Sequence, residues 1–249
     1  MSREANVKLL ESDPELGLRV PPSEIERARQ ELVAPLTELG PGTWDVPTEP
    51  GDRTRLGYVL VEGLLAREVI LAGTRCAELL GDGDVLQPSL TLREETLLRY
   101  QVQWHVLRPV RLAVIDEQVW RALGRWPQVL SALLERAIRR VQRMAIHQAL
   151  LQLSPVETRL LVLFWYLAER WGRVTPAGIA LRLRLSHEML GHLVGVQRAS
   201  VTTALSRIAP SGRVVRRSDG TWLLRGDPPS ELGNIHWQER PSLAGSQSV

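Results

Sequence analysis

The stretch SHEMLGHLVGVQRASVTTALSRI, residues 186–208, constrains this 249-residue chain more than any other. Ser186 is an N-cap type ahead of an apolar-periodic run from His187 to Val194. Gly195 then interrupts the run at a point where a left-handed backbone conformation is easiest without a Cβ. A second helix is predicted from about Arg198, with Val196 buried in the turn. Leu190, Val194, Val196, Val201 and Ala204 recur at spacings that let both helices share one core. Gly191 is small where the two would cross. Gln197, Arg198, Ser200, Thr202, Thr203 and Ser206 are left near the outer face of the second helix. Two helices so arranged present the second to the major groove of double-stranded DNA, its first turn at the base edges.

The chemistry of that face fits the geometry. The planar fork of Arg198 matches guanine O6 and N7 together. Ser186, His187 and the start of their helix can hold a phosphate. Asp219-Gly220 between VVRR and TWLLR signals a β-hairpin, which brings Arg216 and Arg217 toward a DNA backbone as a wing. Charge is placed accordingly. Residues 182–225 carry eight arginines against Glu188 and Asp219, a net of +6, whereas residues 1–50 carry ten acids against five bases. The competing readings are a solvated arginine face, and a helical hairpin used for protein contact.

Upstream, residues 1–30 are polar and acidic and are expected to be loose, apart from a short helix from Ile25 to Val33 after the Ser23/Glu26 capping-box spacing. Between 31 and 125, β-like runs at 56–63, 64–71, 75–80, 97–107 and 110–115 are separated by Gly63, Gly73, the GDGD turn at 81–84 and Pro109. Such spacing predicts an antiparallel barrel or roll. A helix without glycine or proline follows Trp126-Pro127 and runs to 153. Leu130, Leu133, Ala137, Met144 and Leu151 fall near a seven-residue repeat, with Leu134, Ile138 and Val141 beside them, while Glu135, Arg136, Arg139, Arg140 and Arg143 mark an outer face. Leu130, Leu133, Ala137, Val141, Met144 and Leu151 form either a homodimer seam or a stripe packed on the chain's own roll. Ser154-Pro155-Val156-Glu157 has the spacing of a serine-capped helix start, opening a domain over 154–225, and 226–249 reads as a flexible tail.

Several classes are excluded. The single cysteine, Cys76, rules out an intrachain disulfide and a four-cysteine metal or iron–sulfur site. His187, Glu188 and His192 approach a zinc-protease pattern, but five residues turn a helix by roughly 140°, so the imidazoles do not share a face. His105 and His147 are isolated. No nucleophile–base pair is evident, so neither an enzyme nor a cofactor is expected. No stretch of about 18 apolar residues occurs, and the first residues hold no apolar signal core, so the chain is expected in the cytoplasm.

Over about residues 30–225 the sequence resembles the Crp/Fnr family of bacterial regulators. HEMLGHLVGVQRASVTTAL is similar to the family's DNA-binding signature, with Arg198 on its guanine-reading arginine, and GDGDVL is similar to its β-roll turn. The resemblance implies an α+β fold: an N-terminal antiparallel β-roll of the cyclic-nucleotide-binding type, a long dimerisation helix, and a C-terminal winged helix-turn-helix. It also implies a homodimer on a near-palindromic site, and contact with RNA polymerase. The chain departs from the family at the nucleotide pocket. Gln87-Pro88-Ser89 stands where a Gly-Glu-Leu run is usual, and Leu98-Arg99-Tyr100-Gln101 stands where an Arg-Ser or Arg-Thr pair holds the phosphate, with Glu94 and Glu95 nearby. Ala199 and Thr203 replace a frequent glutamate and arginine in the recognition helix. DNA binding independent of cyclic AMP is therefore expected. The alternative is an effector-sensing or protein-interaction module whose β-roll takes another ligand or partner.

Overall fold

The computed structural model describes residues 5–46, 55–88 and 98–229. It consists of two compact units that divide between Ala149 and Leu150.

The first unit is built on two long antiparallel strands, β4 (Arg55–Leu71) and β7 (Tyr100–Asp116). In sequence order they stand among β1 (Ala5–Lys8), α1 (Leu9–Ser12), α2 (Ile25–Glu31), β2 (Val33–Leu39), β3 (Gly42–Thr43), β5 (Thr74–Gly81), β6 (Val85–Leu86), α3 (Glu117–Arg125) and α4 (Pro127–Leu150). The sheet runs β1-β2-β7-β4-β5, with β3 on β7 and β6 on β4. Gly63 and Pro109, expected to end strands, instead bend them. The β4–β7 register shifts around Glu62 and Leu64, which is a bulge. Gly63 sits there at φ +121°, and a Cβ on it would come 2.4 Å from the Pro109 carbonyl oxygen. The displaced Gly63 N–H donates to Asp82 Oδ1 at 2.9 Å. Asp84, 2% exposed in the same GDGD turn, accepts from Gly81 N–H at 2.9 Å. The turn's acids thus serve backbone donors that the bend would otherwise strand.

From residue 5 to β2 the chain is packed rather than loose. Val7, Leu9, Leu10, Leu16, Val20 and Ala28 join a core with Val119, Leu123, Trp126, Val129 and Leu133. Their apolar positions are too few and too irregular for a periodicity signal, yet β1 completes a sheet edge against β2. The helix after them is α2, whose N-cap Glu24 makes no side-chain cap bond, so Ser23 does not cap it. Helix α3 had no counterpart in the sequence reading, although Asp116 caps it by accepting from Val119 N–H at 2.8 Å.

Helix α4 reverses the expected sides. Arg136 pairs with Asp13, Arg140 with Glu78 and Arg143 with Asp84, so three of the arginines assigned to the outer face grip the roll. Leu133, 7% exposed, belongs to the unit's own core, while Leu134 (61%) and Val141 (65%) are exposed together with Ile138, Met144 and Ile146. The seam positions therefore divide. Leu133 is internal, Leu130 and Ala137 are half-buried, and Val141 and Met144 are open.

The second unit packs α5 (Val156–Trp171), β8 (Gly172–Thr175), β9 (Gly178–Leu181), α6 (His187–Val194), α7 (Arg198–Ile208), β10 (Val214–Arg216) and β11 (Trp222–Leu224). Its sheet runs β10-β11-β9-β8. Helix α5 begins after Pro155 with no side-chain cap, so Ser154 does not close the expected box. Leu151 lies beyond α4, beside Gly195, where a Cβ would meet Leu151 Cδ2 at 3.5 Å. It is not a continuation of the helical seam. The tail expected over 226–249 lies, beyond Pro229, outside the described residues.

Gly63→Ala should lower the stability of the first unit by about 2–4 kcal/mol, because alanine meets both a disfavoured φ and the Pro109 carbonyl. Urea unfolding checks this, and an unchanged midpoint would show that the bend relaxes freely.

Candidate nucleic-acid interface

Helices α6 and α7 form the expected pair with the expected ends. The Ser186 hydroxyl accepts from Met189 N–H at 3.1 Å, which caps α6. Gly195 closes α6 in the left-handed region at φ 68°, ψ 37°. Val196 N–H then donates to the Gly191 carbonyl at 2.9 Å. A Cβ on Gly191 would stand 2.6 Å from the Val196 oxygen, so only glycine lets the turn close there. Leu190, Val194, Val201 and Ala204 are buried between the helices. Val196, expected to be buried, is half-buried. It sits in a three-residue connector, 195–197, whose backbone, rather than its side chain, makes the close contact.

One face of α7 is polar and open. Gln197, Arg198, Ser200, Thr202, Thr203 and Ser206 are all exposed, as is Ser186. Arg198 is the first residue of α7, following Gln197 in extended conformation. The Thr202 hydroxyl donates to the Arg198 carbonyl at 3.1 Å, and His187 Nδ1 lies 2.9 Å from the same hydroxyl. Burial first, then the Arg216 and Arg198 guanidiniums, hold the His187 imidazole below its usual range.

The hairpin β10–β11 pairs Arg216 with Trp222 across its register. Its turn is fixed by Asp219, which accepts from Thr221 N–H at 2.9 Å and from the Thr221 hydroxyl at 2.6 Å. Those two bonds, more than the neighbouring Arg217 and Arg184, hold the Asp219 carboxyl below its usual range. The Arg216 guanidinium lies over the Trp222 ring, 5.8 Å from its centroid. Arg216 and Arg217 are exposed.

Two residues escaped the sequence reading of this surface. Arg184 lies beside the hairpin turn, 3.8 Å from where a Gly220 Cβ would be. Its signal, one arginine among eight in a basic stretch, did not set it apart. Arg159 donates to the Leu153 carbonyl at 3.0 and 2.8 Å and to the Val194 carbonyl at 2.7 Å. It thereby satisfies an acceptor that α6 leaves unpaired at its end. No local motif marks it, because its partners lie 6 and 35 residues away. Arg207, by contrast, is engaged by Glu157 at 2.8 Å.

The first unit contains a separate cavity of about 540 Å³. Its walls include Val59, Leu86, Ile115, Leu123, Leu134 and Met144. Arg67 and Arg140 are the arginines that line it. Both are taken by Glu78, at 3.3 and 2.5 Å, and Arg140 also donates to the Val85 carbonyl at 3.2 Å. Two guanidiniums thus share one carboxylate at the cavity wall. Arg99 is exposed and Tyr100 begins β7, paired with Leu71 at the β4–β5 tip. Ser89, Glu94 and Glu95 lie outside the described residues.

No family model and no curated protein matches the chain. Solved structures do. FixK2 from Bradyrhizobium japonicum is 20% identical with a TM-score of 0.60, covering 78% of this chain and 94% of its own. The c-di-GMP-responsive global regulator CLP of Xanthomonas campestris is 20% identical with a TM-score of 0.60, covering 83% and 100%. A CRP-family transcriptional regulator from Thermus thermophilus is 18% identical with a TM-score of 0.56, covering 76% and 91%. The chain has the fold of these Crp/Fnr-type regulators, an α+β architecture in which a cyclic-nucleotide-binding type of β-roll is followed by a helix-turn-helix. Among the described residues, no helix is long and apolar enough to cross a membrane.

Proposed function

We propose that the protein is a sequence-specific, DNA-binding transcription regulator that acts in the cytoplasm as a homodimer on a near-palindromic site. The observation that carries this reading is the exposed first turn of α7, with Arg198 at its head and Arg216 and Arg217 alongside on the hairpin. Arg198 reads a guanine in each half-site. Gln197, Ser200, Thr202, Thr203 and Ser206 meet base edges or phosphates. Ser186 and His187 meet the phosphate backbone, and the hairpin arginines follow it as a wing. RNA polymerase is the expected protein partner.

Helix α4 supports the dimer. Leu134, Ile138, Val141 and Met144 are large, apolar and exposed along one helix, a patch that a second copy of the same helix would cover. The cavity favours a second element of the reading. Its lining is mainly apolar, which suits an uncharged apolar effector better than a cyclic nucleotide, and DNA binding does not depend on cyclic AMP.

Arg198→Ala should weaken binding to a genomic target site by about 1–3 kcal/mol per half-site and change non-specific binding less. Equal affinity of variant and wild type for the target would remove Arg198 from the base-reading role. Wild-type protein should scatter light as a dimer at micromolar concentration. Val141→Glu should scatter as a monomer with an unaltered circular dichroism spectrum, since Val141 lies outside the protomer's core. A wild-type monomer would refute the dimer. Calorimetry with cyclic AMP and cyclic GMP should show no micromolar binding. Micromolar affinity for either, coupled to tighter target binding, would overturn the cyclic-nucleotide-independent reading.

A further inference from the structure

The hydrogen-bond chain from His187 to Arg198 determines which nitrogen of the ring is free to titrate. The Thr202 hydroxyl has one proton, and the Arg198 carbonyl, 3.1 Å away, can only accept it. Toward His187 Nδ1, 2.9 Å away, the hydroxyl must therefore accept, so Nδ1 carries a hydrogen. Nε2 remains as the titrating atom, and it has no hydrogen-bond partner among the described residues. The charged groups that act on the ring from packed elements are both cations, Arg198 of α7 and Arg216 of β10. Together with partial burial they favour the neutral ring in the free protein.

A phosphodiester brought to this face opposes the electrostatic influence. Its negative charge offsets the field of the guanidiniums and offers an anionic acceptor to a ring nitrogen that has none. We propose that His187 takes up a proton from solvent when the interface meets a DNA phosphate, Nε2–H donating to a phosphate oxygen while Nδ1–H keeps hold of Thr202. The inference rests on the DNA-binding reading and adds a regulatory property to it. Arg198, through its own carbonyl and Thr202, is tied to a phosphate sensor on the neighbouring helix, so backbone docking and placement of the base-reading residue are coupled. Affinity rises as pH falls, by up to about tenfold per unit of pH for each bound proton, between the imidazole range of the free protein and the higher range of the complex.

Because phosphate contact is independent of sequence, a short duplex of mixed sequence at low salt serves as the probe. Anisotropy titrations from about pH 5 to pH 8 should show wild-type binding tightening as pH is lowered. Calorimetry in two buffers of different ionisation enthalpy should read uptake of about one proton per protomer. His187→Asn supplies an amide N–H near the Nδ1 position and cannot titrate, so its pH slope should flatten while its thermal melt stays at the wild-type value. Nitrogen-detected NMR of the free protein should find His187 as the Nδ1–H tautomer. A slope and proton uptake unchanged in His187→Asn would overturn this inference and leave DNA binding intact. Failure of the wild type to bind the duplex at any pH would overturn both.

Discussion

At Gly191 the turn that follows α6 presses a carbonyl into the space a side chain would fill. The outward polar face of α7 depends on that approach. The Val196 oxygen would lie 2.6 Å from a Cβ at 191, so any larger residue would push the connector out and rotate α7. With the connector seated, Leu190, Val194, Val201 and Ala204 close over one another, and the polar residues of α7 have no direction left but outward. Ser186 and Gly195 finish the ends of α6, and Arg159 takes the Val194 carbonyl that the end of α6 leaves over. Two helices and a short, tightly seated connector thus fix the direction of that polar face.

Helix α4 uses charge and apolar surface in an unusual order. Arginine is commonly the solvated face of a helix, yet Arg136, Arg140 and Arg143 turn toward carboxylates of the roll and of the segment before it. Asp84 is almost fully buried, and an unpaired buried carboxylate is costly, so Arg143 neutralises a charge that the GDGD turn places there for its own backbone bonds. With cations directed inward, Leu134, Ile138, Val141 and Met144 are left in solvent. Glu78 also holds both arginines that line the cavity. One set of ion pairs thus bears on helix docking, on the open apolar face and on the cavity wall.

Legibility in the sequence followed the range of the interactions. The helix-turn-helix could be read because its determinants are local: a cap at Ser186 acting three residues on, a left-handed glycine at 195, and apolar spacings within 23 residues. The hairpin at Asp219-Gly220 was legible for the same reason, since Asp219 bonds Thr221 two residues later. Capping motifs at Ser23 and Ser154 were misleading. Both have the right spacing, but the helices begin after Glu24 and Pro155, where no side-chain cap bond forms. Residues before β2 appeared loose because their ordering comes from β2 and from the core around Val129 and Leu133, about a hundred residues away in the chain.

By itself, then, the sequence determined what short-range chemistry can encode: the α6–α7 pair, the identity and exposure of Arg198, the hairpin beside it, the extended character of the roll and the existence of a long helix. Tertiary structure alone decided which side of that helix faces inward, that Gly63 and Pro109 bend strands instead of ending them, and that the arginines of the cavity are already paired. Helical periodicity shows which residues share a face but carries no sign for the direction of that face. The direction was set by carboxylates at 13, 78 and 84, which only the fold brings to the helix.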